Sequence, residues 1–183
     1  MNLFRAVFLD RDGTLIEERD YLSEPDGVAP LPKAAEGLKL LQAAGYKLFV
    51  VSNQSGVGRG YFTLEDVERV NARMVSLFAK NGARFERIYV APEAPDQPSR
   101  GRKPSPQFLF DARDEFGIDL GSSYIVGDKW IDLECGWNAG LKRSILVRTG
   151  YGRKTEQEKS GQLLKAVVVE DVAAAAEWIL KQK

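Results

Sequence analysis

Short apolar runs alternate with helix-length amphipathic stretches along the whole chain, and this rhythm leaves few folds open. Ala6-Val7-Phe8-Leu9 is the first run, and a helical pattern follows from about Lys33 to Ala44, where Gly45 stops it. Lys47 to Val51 reads as a second strand. Thr63 then opens a helix that ends near Asn81-Gly82, its hydroxyl capping the first turn while Asp66, three residues on, supplies an acidic variant of the capping box. Further strands fit Arg87 to Ala91, Tyr124 to Val126, Ser144 to Val147 and Ala166 to Val169, with helices at Pro106 to Phe116, Trp130 to Ala139 and Asp171 to Lys181. Parallel neighbours need crossovers about a dozen residues long, usually helices, so the rhythm predicts an α/β fold: a doubly wound, mostly parallel sheet with helices on both faces. The length of 183 residues fits one domain spanning residues 1–183. Prolines at 92, 95 and 98 make the stretch from Ala91 to Gly101 an expected stiff, extended loop.

Composition removes several functions. The chain carries 26 Lys and Arg against 26 Asp and Glu, with no long basic block, so neither nucleic acid nor an anionic membrane surface is an expected partner. Its apolar stretches fall far short of the roughly 18 residues a membrane span needs, and its first residues carry no signal-peptide pattern, so a cytoplasmic location is expected. There is no His and a single Cys, Cys135. Catalysis by Ser-His-Asp or Cys-His, a zinc site of four Cys and His ligands, and an intrachain disulfide are all excluded. Carboxylates, Lys, hydroxyls, backbone amides or a hard metal must carry any chemistry.

Open α/β sheets bind ligands beyond the carboxyl ends of their strands. The first strand ends in Asp10-Arg11-Asp12-Gly13-Thr14, the second in Ser52-Asn53-Gln54-Ser55-Gly56, and the fourth in Gly127-Asp128-Lys129-Trp130-Ile131-Asp132, while Arg102-Lys103-Pro104 closes the proline-rich loop. Singly, each is an ordinary strand-exit or helix-entry turn. Jointly, they set Asp10, Asp12 and Asp128 on one rim, and carboxylates converging there imply a bound cation. An all-oxygen ligand set points to Mg²⁺, which usually meets phosphate oxygens. Lys103 and Ser52 add a positive charge and a hydroxyl to the same pocket, which suits phosphoryl transfer to an aspartate.

These four segments, in this order, resemble the motifs of the haloacid dehalogenase (HAD) superfamily of phosphohydrolases, over a span from Val7 to about Gly152. The resemblance implies that Asp10 is the nucleophile that forms an aspartyl-phosphate. It implies that Asp12 is general acid and then base, with its main-chain carbonyl on Mg²⁺. Ser52 would hold a phosphoryl oxygen, Lys103 would stabilise the transferring group, Asp128 would complete the metal site, and Asp132 would support it from behind. Within the superfamily, the segments Asp10 to Thr14, Ser52 to Gly56, Arg59-Gly60, Arg102 to Pro104, Gly127 to Lys129 and Val147 to Gly150 resemble the D-glycero-D-manno-heptose 1,7-bisphosphate 7-phosphatases and their histidinol-phosphatase relatives. That similarity implies substrate contacts at Glu18, Arg19, Asp20, Tyr21, Ser52, Asn53, Gln54, Ser55, Arg102, Lys103 and Lys129.

One departure stands out. Members of this group often carry a Cys/His zinc loop before the Arg-Lys pair, whereas Ala91 to Gly101 contains neither residue type, so no zinc is expected and prolines are expected to stiffen the loop instead. Only about eighteen residues separate Thr14 from Lys33, so the pocket should lack a large cap domain and be covered by a flap around Ile16 to Pro30. Arg59 reads equally as a surface charge or as a ligand for a distal phosphate, and Cys135 and the three Trp residues read as packing groups. A phospho-acceptor signalling module also sets carboxylates, a hydroxyl and a Lys around Mg²⁺, but Asp12 supplies the acid and base that turnover requires. The expected partner is a small phosphorylated sugar acted on by a monomeric enzyme. With Lys103 committed to the reacting group, Arg102, Lys129 and Arg59 are expected to await a second anionic group, and Glu17, Glu18 and Asp20 to be the only counterweight for an amine.

Overall fold

The computed structural model describes residues 3–182. Six strands form one sheet: β1 (Ala6–Leu9), β2 (Lys47–Asn53), β3 (Arg87–Ala91), β4 (Tyr124–Gly127), β5 (Arg143–Val147) and β6 (Ala166–Val169). Their order is β3-β2-β1-β4-β5-β6 and every pairing is parallel, with Val7 opposite Leu48 on one side and Tyr124 on the other. The main helices are α1 (Ala34–Ala43), α2 (Ser55–Gly58), α3 (Leu64–Lys80), α4 (Gln107–Phe116), α5 (Trp130–Asn138), α6 (Gly152–Glu158) and α7 (Val172–Leu180). This is the doubly wound α/β sheet expected from the alternation of runs.

Side-chain alternation along the central strands divides the core in two. Val7, Leu9, Leu48, Val50 and Val126 face α1, α3 and α7, where Leu38, Met74 and Ile179 meet them. Ala6, Phe8, Phe49, Val51 and Ile125 face Leu109, Ala112 and Cys135 of α4 and α5. A strand buried on both faces has no polar positions to spare, which is why β1 reads as an unbroken apolar run. Cys135 is one of these packing residues, its thiol pushed up to about 12 by burial.

Several local expectations change. Thr63 and Asp66 form the reciprocal cap, the Asp66 N–H donating to Thr63 Oγ1 and the Thr63 N–H to Asp66 Oδ2. However, β2 runs two residues further than the apolar pattern, carrying Ser52 and Asn53 inside the strand, because polar residues at a strand's carboxyl end can still pair through their backbones with Val90 and Ala91. The one-turn α2 and the short α6 carry too few apolar positions to show a period. The proline-rich segment is not extended. It folds into turns fastened by side chains, with Ser99 Oγ donating to Glu93 (2.6 Å), the Arg102 N–H donating to Ser99 Oγ (3.1 Å) and Arg102 Nη1 donating to the Glu93 carbonyl (3.0 Å).

The chain direction of strand connections reverses at β1, so the crevice at the carboxyl ends of β1 and β4 lies at the topological switch point. The flap is pinched at its base, where the Leu31 N–H donates to Leu15 and the Glu17 N–H to Ala29. Among the described residues no helix is long and apolar enough to cross a membrane.

Candidate active site

Asp10 leaves β1 directly into the crevice, and Lys103 reaches it from the loop before α4. Lys103 Nζ donates to Asp10 Oδ1 at 2.6 Å and to the Val51 carbonyl at 2.7 Å, with both side chains buried. Its third neighbour is Asp132 on α5, an ion pair at 2.6 Å. Burial opposes ionisation of Asp10, but the ammonium groups of Lys103 and Lys129 outweigh it and hold its carboxyl below the usual range. Burial likewise opposes the charge on Lys103, which Asp10 and Asp132 more than restore.

Asp128 follows β4 and is fully buried. Its Oδ2 accepts the Tyr151 N–H at 2.8 Å, and its Oδ1 has no partner at all. Gly13 (φ 79°) and Gly150 (φ 51°) wall this carboxylate so closely that a Cβ on either would come within 2.3 Å of Oδ2. Desolvation, with the charges of Asp10 and Asp132 added, pushes the Asp128 carboxyl up to about 8. Asp10, Asp128 and Asp132 thus form a cluster whose carboxylate oxygens lie within 4.8 Å of one another.

The third carboxylate of this cluster is Asp132, whereas the metal role expected of Asp12 runs through its main-chain carbonyl. The Asp12 side chain lines the same cavity as Asp10 but is engaged elsewhere, accepting both arms of the Arg11 guanidinium (Nε to Oδ2 3.0 Å, Nη2 to Oδ1 3.1 Å) and Gln54 Nε2 at 2.8 Å. Asp132 has both oxygens engaged as well, one by Lys103 and the other by the Lys129 N–H at 2.9 Å. Asp128 Oδ1, buried beside Asp10 with neither a hydrogen bond nor an ion pair, and the Asp10 oxygen that Lys103 does not hold are the oxygens of the cluster open to a ligand. A buried, unpaired, protonatable carboxylate of this kind fits a hard divalent cation with oxygen ligands.

Two cavities that share Asp12, Asn53, Ser55 and Lys129 lead to these groups. One, of about 160 Å³, is lined by Asp10, Arg102, Lys103, Ile131 and Asp132 together with the shared residues. The other, of about 220 Å³, lies under the flap against Glu18, Arg19, Asp20, Tyr21 and Gln54, with Tyr151 across from them. Ser52 and Asp128 are buried and line neither cavity. Ser52 Oγ accepts the Gln54 amide at 2.6 Å, which leaves its own O–H free to donate. Arg59 ends α2 exposed to solvent and lines neither cavity.

The charges also differ from expectation in one respect. Lys129 is paired with Glu18 at 2.8 Å and lies 4.9 Å from the centre of the Tyr151 ring, so it does not wait for an anion. Burial comes first at Glu18 and raises its carboxyl despite that partner. Glu17 is paired with Arg19, and Asp20 accepts the Tyr151 hydroxyl at 3.3 Å. Arg102, bonded to a neutral carbonyl, is the cavity cation without a carboxylate partner among the described residues. Tyr151 escaped the sequence reading because the helix that presents it is too short to leave a pattern, although its place after the Val147 to Gly150 segment marks a strand end.

Comparison with known proteins gives a consistent result. A family profile for HAD-hydrolase-like proteins matches residues 101–175. The D-glycero-D-manno-heptose-1,7-bisphosphate 7-phosphatase of Chlorobaculum tepidum is 37% identical over 198 aligned positions, covering 100% of this chain and 98% of the relative. The D-glycero-beta-D-manno-heptose-1,7-bisphosphate 7-phosphatase of Helicobacter pylori is 37% identical over 80% of this chain and 86% of its own length. The crystal structure of D,D-heptose 1,7-bisphosphate phosphatase from B. bronchiseptica, complexed with magnesium and phosphate, superposes with a TM-score of 0.89 at 32% identity, covering 98% of this chain and 99% of that one.

Proposed function

The chain belongs to the HAD-like phosphatases, in the family of the D-glycero-D-manno-heptose-1,7-bisphosphate 7-phosphatases, and on that footing we propose how its own residues remove the 7-phosphate of a heptose 1,7-bisphosphate. Asp10 attacks phosphorus in line through the oxygen that Lys103 does not hold. Asp12 gives a proton to the leaving sugar oxygen and later takes one from the water that hydrolyses the aspartyl-phosphate. The free O–H of Ser52 donates to a phosphoryl oxygen, and Lys103 neutralises charge that spreads over the transferring group. Mg²⁺, held by Asp10, Asp128 and the main-chain carbonyl of Asp12, supplies the remaining positive charge when bound. Asp132 keeps Lys103 charged and in place.

The observation that carries this reading is the buried, unpartnered Asp128 oxygen beside the Asp10–Lys103 pair. Four cations of the site, Arg11, Arg19, Lys103 and Lys129, already face carboxylates, so without a divalent ion the pocket holds little positive charge for a phosphate. Substrate choice rests on Arg102, whose planar fork suits bidentate recognition of a second phosphate. An amine-bearing substrate such as histidinol phosphate has less to meet, because Glu17 and Glu18 are already paired. A highly charged substrate stays in the compartment where it is made, which supports action in the cytoplasm.

A phosphate-release panel tests the proposal. Activity should vanish in EDTA, return with Mg²⁺, and favour heptose 1,7-bisphosphate over histidinol phosphate by at least about tenfold in kcat/KM, some 1.4 kcal/mol of transition-state binding. Equal or better efficiency on histidinol phosphate would overturn the substrate assignment, and metal-independent turnover would overturn the course of reaction.

A further inference from the structure

The reaction course above gives Arg11 no task, yet Arg11 is the largest fully buried side chain in the protein, at 1% exposure. Burying a guanidinium is costly unless its donors are met. Here they are met by two residues. Nε and Nη2 grip both oxygens of Asp12, and Nη1 donates to Asn71 Oδ1 on α3 at 2.9 Å. Asn71 is itself buried, one of the few polar residues on the inner face of that helix. Arg113 and Asp114 pair in the same way at the surface, so what sets Arg11 and Asp12 apart is that theirs is buried. The turn allows it by coiling around Arg11, whose carbonyl accepts the N–H groups of Thr14, Leu15 and Ile16.

We propose that Arg11, tethered by Asn71, is the positioning residue for the proton-carrying carboxyl of Asp12, an inference that rests on the acid role of Asp12 given above. A carboxylate oxygen offers about two acceptor sites. Oδ2 has both filled, by Arg11 Nε and Gln54 Nε2, whereas Oδ1 has one filled, by Arg11 Nη2. Oδ1 is therefore the oxygen with an acceptor site left, the one through which Asp12 can exchange a proton with the substrate. In the first step the Asp10–phosphorus bond forms, the bond from phosphorus to the sugar oxygen breaks with its electron pair passing to that oxygen, and the proton leaves Oδ1 for the same atom. The planar fork fixes the direction of that transfer, and Asn71 fixes the fork to the helix.

Leaving-group dependence separates this role from a merely structural one. An alkyl oxygen needs a proton to depart, whereas p-nitrophenolate hardly does, so mispositioning the acid must lower kcat/KM on the sugar phosphate far more than on p-nitrophenyl phosphate. Taking the ratio on a single preparation cancels any unfolded fraction. Asp12→Asn sets the scale and should collapse the ratio. Arg11→Lys keeps the charge but loses the fork, and should lower the ratio at least about tenfold; Asn71→Ala, a milder change that decides the matter if Arg11→Lys does not fold, should lower it about three- to tenfold. A ratio unchanged in Arg11→Lys and Asn71→Ala but collapsed in Asp12→Asn would overturn the positioning role alone. A ratio unchanged in Asp12→Asn would overturn the acid assignment, and the proposal with it.

Discussion

Lys103 and Asp132 meet 2.6 Å apart with both side chains almost wholly inside the protein. The pair sets the order of charge in the site. Asp132 anchors the ammonium from behind, Asp10 receives it in front, and Asp128 is left as the carboxylate with no cation of its own.

Lys103→Met should therefore be costly to the fold as well as to turnover. Removing one partner of a buried ion pair typically costs about 3–5 kcal/mol, because the charge left behind is neither solvated nor paired. Urea denaturation in EDTA should show a loss of that order. A loss below about 1 kcal/mol would mean that water reaches the two carboxylates.

Asp10→Asn should abolish phosphate release while the chain stays folded, since the amide fills the same volume but cannot attack phosphorus. It also takes one of its two carboxylate partners from the buried Lys103, so in EDTA the variant should melt lower than the parent protein. Retained turnover in a folded variant would rule out Asp10 as nucleophile.

Metal binding and pH should be linked through Asp128. Its carboxyl, pushed to about 8 in the metal-free protein, keeps a proton that the unfolded chain gives up near about pH 4. The folded state then binds more protons than the unfolded one between those limits, so metal-free stability should fall as pH rises from about 4 to about 8. Mg²⁺ takes the place of the proton. Melting temperatures with and without Mg²⁺ should diverge with rising pH over that window, and a gap that stays constant or narrows contradicts the linkage. Elemental analysis of the same preparation should find no stoichiometric zinc, for want of Cys and His ligands.

Arg102→Ala should lower kcat/KM on the bisphosphate about tenfold and leave aryl phosphate hydrolysis within about twofold of the parent enzyme, because only the former offers a second phosphate. Parallel losses on both substrates would place Arg102 at the reaction centre instead.

The sheet was legible because the central strands β1, β2 and β4 are buried on both faces and so write their positions as apolar runs, with glycines and caps marking where helices stop and start. The strand-end motifs were legible for the same reason, since polar residues directly after such runs have nowhere to go but the rim. What pattern could not reveal was the direction of side chains within the turns. The turn at Gly13 gives the two carboxylates of a single motif different partners, Lys103 for Asp10 and Arg11 with Gln54 for Asp12, and Glu18, twelve flap residues short of Pro30, folds back to meet Lys129. Both depend on φ values and on partners more than forty positions away, such as Gln54 for Asp12 and Lys129 for Glu18, which a local reading does not contain.

The central place of β1, between β2 and β4, also dictates when this protein first acquires activity as it is made. A growing chain displays Asp10 and Asp12 at once, and Ser52 soon after, but Asp128 and Asp132 emerge from the ribosome much later, and only then can β4 complete the floor on which they stand. A product cut short before β4 carries Asp10 and Lys103 but neither Asp128 nor Asp132, and the innermost strand of its sheet is left with an open flank.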